Sequence, residues 1–129
     1  MKVNHVAMWV NDLEKTKDFY AKYFQVEAGE RYRNAKNDFT SYFLFFDGAS
    51  TTIEIMHRPD LSDCSRKSLF SPGLTHLAIS VGDRMAVDRL TDQLREDGYP
   101  IVSEPRVTGD GYYESVILDP ERNIIEITE

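Results

Sequence analysis

Alternating apolar and polar residues divide the chain into strands and helices that occur twice in the same order. Residues 3–56 predict a strand, an amphipathic helix and three further strands, at Val3–Val10, Leu13–Phe24, Val26–Tyr32, Phe39–Phe46 and Thr51–Met56. The same order returns beyond Gly73, with elements predicted at Leu74–Val81, Arg84–Asp97, Ile101–Val107, Tyr112–Leu118 and Asn123–Thr128. The pattern therefore predicts an α+β fold of two tandem βαβββ modules.

The length of 129 residues favours a single domain containing both modules. We expect module one to span residues 1–57 and module two residues 73–129. Residues 58–72 are rich in Asp, Ser, Arg and Pro and have little periodicity, so they are interpreted as a connector. Its length lies near the upper limit for a structureless loop inside a compact domain.

Two matched pairs of segments make the duplication concrete. Asn4-His5-Val6-Ala7 resembles Thr75-His76-Leu77-Ala78, and 52–56 resembles 124–128. His5 precedes Glu54 by 49 positions, and His76 precedes Glu126 by 50. Each module thus carries one His on its opening strand and one Glu on its closing strand.

The alternation also predicts which way these four side chains face. Both glutamates lie between isoleucines that would pack against a helix, so each Glu faces the opposite side, as does the His of the same module. Two imidazoles and two carboxylates suit a divalent transition ion with two positions left for water or substrate. Each residue alone is typical of an ordinary strand, but the repetition favours metal ligation by His5, Glu54, His76 and Glu126. His57 breaks this alternation and is interpreted as a surface residue.

Composition narrows the classes of partner. The net charge of −7 has the wrong sign for nucleic acid, and no apolar run is long enough for a membrane helix, so we expect neither partner. The single cysteine, Cys64, excludes an internal disulfide and a thiolate zinc cage. Together with the absence of a signal-peptide pattern, these features favour a cytoplasmic protein.

Several motifs are similar to those of the vicinal oxygen chelate superfamily, which includes glyoxalase I, bleomycin-resistance proteins, methylmalonyl-CoA epimerase and extradiol dioxygenases. The motifs are His5-Val6-Ala7, Asp12-Leu13 followed by Phe19-Tyr20, the segment 73–78, and the ending 119–127. The resemblance implies a half-barrel cup of mixed β-sheet with the helices outside, built around a divalent metal and commonly found in a homodimer. It also implies that His5, Glu54, His76 and Glu126 match the metal ligands of glyoxalase I. This sequence departs from the family pattern at two positions, where Gln25 and Arg122 replace glycines that are common in the family.

The resemblance implies a metal-dependent, glyoxalase I-like lyase or isomerase that acts through an enediolate. Its substrate would be a small molecule with adjacent oxygens, such as a glutathione hemithioacetal, and Glu54 or Glu126 would move the proton. The metal would be nickel, zinc, cobalt, manganese or iron. Epimerisation is a close alternative, and ring-cleaving dioxygenation is disfavoured because it uses two His and one Glu.

A non-catalytic binding protein is the alternative from a different class. Aromatic residues would then line the cup without a metal, the candidates being Trp9, Tyr42, Phe43, Phe45, Tyr112 and Tyr113.

Asn11, Arg31 and Arg33 could contact a peptide carboxylate of a substrate, but each is equally typical of a protein surface.

Overall fold

The computed structural model describes residues 1–62 and 72–129, and each of these two ranges forms a compact unit. Each unit has one helix and one mixed β-sheet, which confirms the predicted α+β class. Most of the predicted connector, including Cys64, lies outside the described residues. Neither helix in the described part of the chain is long and apolar enough to cross a membrane.

The first unit contains five strands in one sheet and a single helix. Its elements are β1 (His5–Trp9), α1 (Leu13–Phe24), β2 (Glu27–Ala28), β3 (Tyr32–Asn34), β4 (Phe39–Phe45) and β5 (Thr52–His57). β1 pairs in parallel with β5, β4 is antiparallel to β5, and both β2 and β3 pair with β4. The opening and closing strands of the unit are therefore neighbours.

The single strand predicted over Val26–Tyr32 is wrong, because two short strands stand in its place. Their pairing register with β4 differs by one residue, as in a β-bulge. Gly29 lies at the start of the interruption, where its N–H donates to the Phe43 carbonyl at 2.9 Å. A β-carbon there would come within 3.1 Å of the Phe45 ring, so the glycine permits this close approach.

Helix α1 packs on one face of this sheet. Asp12 caps its first turn by accepting a hydrogen bond from the Lys15 N–H at 3.0 Å. Its buried residues include Phe19 and Tyr20, and the buried apolar residues of the sheet are Leu44, Ile53 and Ile55. We call this side the helix face of the sheet and the opposite side, which carries His5 and Glu54, the ligand face.

The second unit repeats this topology with one continuous strand in place of the fragments β2 and β3, although the pairing register of that strand also shifts twice. Its elements are β6 (Leu77–Ser80), α2 (Arg84–Glu96), β7 (Ile101–Val107), β8 (Tyr113–Leu118) and β9 (Ile124–Thr128), and β6 pairs in parallel with β9. Helix α2 packs over Ile117, Ile125 and Ile127, all fully buried. It ends before Gly98, whose φ of 85° is the left-handed geometry expected of a helix stop.

Candidate metal centre

In the first unit, strand pairing brings His5 close to Glu54. Ala7 lies beside Glu54 in the parallel β1–β5 ladder, so alternation places His5 on the same face two residues away. The His5 Nε2 atom is 3.9 Å from the Glu54 Oε2 atom. The His5 Nδ1–H donates to the Asn4 Oδ1 atom at 2.9 Å, which leaves the lone pair on Nε2 directed to the Glu54 side.

The second unit forms the equivalent pair. Ala78 lies beside Glu126 in the β6–β9 ladder, and the His76 Nε2 atom is 3.2 Å from the Glu126 Oε2 atom. His76 itself precedes β6, although the sequence predicted it within the strand. Burial raises the pKa of Glu126, and His76 opposes that rise by favouring the charged carboxylate.

The four predicted ligands therefore occur as two pairs, one in each unit. Among residues 1–62 and 72–129, no group of three or more His, Cys, Asp or Glu side chains is placed to hold a metal ion. A complete four-ligand centre stays a prediction.

The donor chemistry of the pairs fits a divalent transition ion. Two donors on neighbouring corners of an octahedron, with bonds of about 2.1 Å, lie roughly 3 Å apart. The 3.2 Å spacing in the His76–Glu126 pair is close to this value, and the 3.9 Å spacing in the His5–Glu54 pair is wider. A partly buried carboxylate such as Glu126, with 21% of its side chain exposed, is also stabilised by a nearby cation.

The ligand face of the first unit is aromatic. The Phe43 ring lies edge-on to the His5 ring at 5.5 Å, and Trp9 and Tyr32 both contact Phe39. Trp9 remains 47% exposed, which leaves its ring accessible. On the same face, the Ser41 hydroxyl is buried and has no hydrogen-bond partner among the described residues. This surface favours contact with apolar groups.

The ligand face of the second unit is charged. Arg106 donates to the Glu114 carboxylate at 3.2 Å, across the β7–β8 ladder. Glu114 and Glu126 both pair into the ladder of β8 and β9, at positions that share one face. Neither Glu114 nor Arg106 was predicted from the sequence. The alternation along β8 nevertheless indicates that Glu114 shares the face of Val116, the residue opposite Glu126.

Three residues lie on the face opposite to the predicted pairs. The hydroxyls of Tyr42 and Tyr113 donate to the helix carboxylates of Glu14 and Asp88 at 2.9 and 2.7 Å, so neither lines a ligand face. Their assignment as lining residues is wrong. His57 shares the alternation of Ile53 and Ile55, and its Nδ1–H donates to the Val10 carbonyl at 3.0 Å. It is half-buried rather than a free surface residue.

A family model described as the Glyoxalase/Bleomycin resistance protein/Dioxygenase superfamily matches residues 2–127. The chain therefore belongs to this superfamily, which confirms the resemblance read from its motifs.

Individual relatives are distant. An uncharacterized protein of Bacillus subtilis, YqjT, is 23% identical over 133 residues, covering 97% of this chain and 96% of the relative. The trypanothione-dependent glyoxalase I of Leishmania major superimposes with a TM-score of 0.79 at 21% identity, over 100% of this chain and 86% of that chain. A V278E variant of maize (Zea mays) glyoxalase I gives a TM-score of 0.76 at 21% identity, over 98% of this chain. This chain spans only 44% of the maize protein. At these identities the solved structures establish the fold alone.

Proposed function

We propose that the chain is a metal-dependent, glyoxalase I-like lyase or isomerase that acts on a small substrate with two adjacent oxygens. The observation that carries this proposal is the repeated His–Glu pair, at 3.9 Å in one unit and 3.2 Å in the other. In the proposal, His5, Glu54, His76 and Glu126 hold one divalent ion, which is nickel, zinc, cobalt, manganese or iron. Membership of the superfamily supports the same assignment.

The bound ion would supply Lewis acidity to the two substrate oxygens. The imidazoles of His5 and His76 would remain ligands throughout, and the Nδ1 hydrogen bond to Asn4 holds the His5 ring in orientation for this role. Glu54 or Glu126 would take a proton from the substrate carbon and return it to the neighbouring carbon, with an enediolate between the two steps.

The substrate class proposed is a thiol–aldehyde adduct such as a glutathione hemithioacetal. The aromatic side chains around Trp9 and Phe39 support an apolar substrate portion beside the His5–Glu54 pair. On the charged face, the Arg106 guanidinium is half exposed and offers further N–H donors to a substrate carboxylate.

The proposal is tested by assaying the metal-free protein with methylglyoxal and glutathione after reloading it with each of the five metals. We expect activity with at least one metal, and loss of at least 100-fold in Glu54→Gln or Glu126→Gln, because general acid–base catalysis contributes about 10²–10⁴-fold. Glu96→Gln, an exposed residue at the end of α2, removes the same charge and should retain activity. Inactivity with all five metals would contradict the proposal.

A non-catalytic binding protein is the second candidate, and the exposed aromatic surface containing Trp9 favours it. It would bind an apolar small molecule equally well with and without metal. Quenching of the single Trp fluorescence by an aromatic ligand, measured in chelator and in excess metal, separates the two candidates. Metal-independent binding by a protein without lyase activity would establish the binder.

A further inference from the structure

A cleft of about 430 Å³ opens on the helix face of the first sheet, away from the His5–Glu54 pair. Its lining includes Arg31, Arg33, Thr40 and His57. The volume is within the range of small-molecule sites, at its lower end. It uses none of the four proposed metal ligands.

Strand register places three of these polar side chains in one row. Arg33 pairs with Thr40 across β3–β4, and Thr40 pairs with His57 across β4–β5. Residues paired in antiparallel strands have β-carbons about 5 Å apart on the same face. The guanidinium, hydroxyl and imidazole groups can therefore meet a single small ligand.

The two arginines of the cleft have N–H donors available to a ligand. Within the part of the chain that the structure describes, Arg33 forms no ion pair. Arg31 is 3.9 Å from Glu14, whose carboxylate already accepts hydrogen bonds from Lys17 and Tyr42. Asp38 is the single acidic side chain of the cleft lining.

His57 completes the polar row through its other ring nitrogen. Its Nδ1–H is held by the Val10 carbonyl at 3.0 Å, so Nε2 is the nitrogen available to a ligand. Nε2 can accept a hydrogen bond from a hydroxyl group of the ligand. Pro59 adds an apolar surface beside these groups.

We propose that this cleft binds the phosphate group of a small organic phosphate monoester. Two arginines present up to ten N–H donors, which matches a tetrahedral dianion with three terminal oxygens. Thr40 adds a hydroxyl donor, and Pro59 contacts the organic portion. Arg31 and Arg33 thus place two positive charges in one cleft of a chain whose net charge is −7.

The experiment is titration of the full-length protein with inorganic phosphate, phenyl phosphate and benzoate, followed by NMR of the three His side chains, with His57→Gln assigning its signal. We expect phosphate to shift the His57 signal and phenyl phosphate to bind at least threefold more tightly. The double variant Arg31→Gln/Arg33→Gln should lose at least tenfold in affinity. The exposed Arg89 on α2 provides the matched charge control, and Arg89→Gln together with a second exposed change, Lys36→Gln, should bind as the wild type does.

Equal phosphate affinity in the double variant and the control would overturn the proposal, as would tighter binding of benzoate than of phenyl phosphate. Metal content is measured on the same samples. Because the cleft is on the opposite face from His5 and Glu54, the arginine variants should keep their metal. Loss of phosphate binding with metal retained supports the cleft independently of the proposed enzymatic function.

Discussion

Two exposed non-glycine residues adopt a left-handed backbone conformation at turns. Gln25, which ends α1, has a φ of 53°, and Arg122, in the turn before β9, has a φ of 64°. An L-residue in this conformation costs about 1–2 kcal/mol, and glycine costs roughly 0.5–1 kcal/mol in backbone entropy. Because both side chains are exposed, their removal loses little packing. Gln25→Gly and Arg122→Gly should each therefore stabilise the fold by about 0.5–1 kcal/mol.

Urea unfolding followed by circular dichroism measures these changes, and the thermal midpoint should rise by about 3 °C for each variant. Asp38→Gly is the matched control. Asp38 also has a positive φ, of 48°, but Asp tolerates this conformation better than Gln or Arg does. We expect Asp38→Gly to be neutral or slightly destabilising. If Gln25→Gly and Arg122→Gly behave as Asp38→Gly does, the reasoning from backbone strain is wrong.

Three further predictions concern stability and assembly. The buried Asp119 carboxylate accepts from the backbone N–H groups of Glu121 and Asn123, so Asp119→Ala should cost about 2–3 kcal/mol in urea unfolding, and a loss below 0.5 kcal/mol would contradict this role. Hydrogen bonds from Lys17 and Tyr42 lower the pKa of Glu14 below its ordinary value of 4.5. The free energy of unfolding of the wild type should therefore exceed that of Glu14→Gln above pH 4.5, and the difference should shrink as the pH falls through the lowered pKa of Glu14 in the folded state. A difference that grows in acid would refute this prediction. We also predict a homodimer, and sedimentation as a monomer at micromolar concentration would contradict it.

Much of the fold is predictable because alternation and helix stops are local signals. Asp12 begins α1 as a side-chain cap, and Gly98 ends α2, both as the sequence indicates. Burial of Ile53 and Ile55 with Glu54 on the other face also follows from a period of two. These features need no knowledge of which strands pair.

The remaining features depend on pairing, which a single sequence does not contain. The one-residue register change between β2 and β3 reverses the faces of all later residues in the hairpin, so Arg33 reaches the helix face and Tyr32 the ligand face. Gly29 is the only local sign of this change. The partners of Tyr42 and Tyr113 are on helices 28 and 25 positions away, and no periodicity within a strand indicates such contacts.

The candidate site was predictable as two residue pairs because the duplication repeats their spacing. Their different surroundings were not, since the aromatic contacts of His5 and the Arg106–Glu114 ion pair arise from cross-strand neighbours. The pair is surrounded by aromatic side chains in the first unit and by charged side chains in the second, so the two modules differ around an equivalent pair.

Metal stoichiometry tests the central claim most directly. Untagged protein is stripped with chelator, reloaded with nickel or zinc, freed of excess ion and analysed for its elements, with circular dichroism confirming that each variant is folded. We predict one tightly bound ion for each set of His5, Glu54, His76 and Glu126, and its loss in His5→Ala/His76→Ala. His57→Gln removes the third His of the chain from the opposite sheet face and should retain the ion. An unchanged metal content in the His5→Ala/His76→Ala variant would contradict the account.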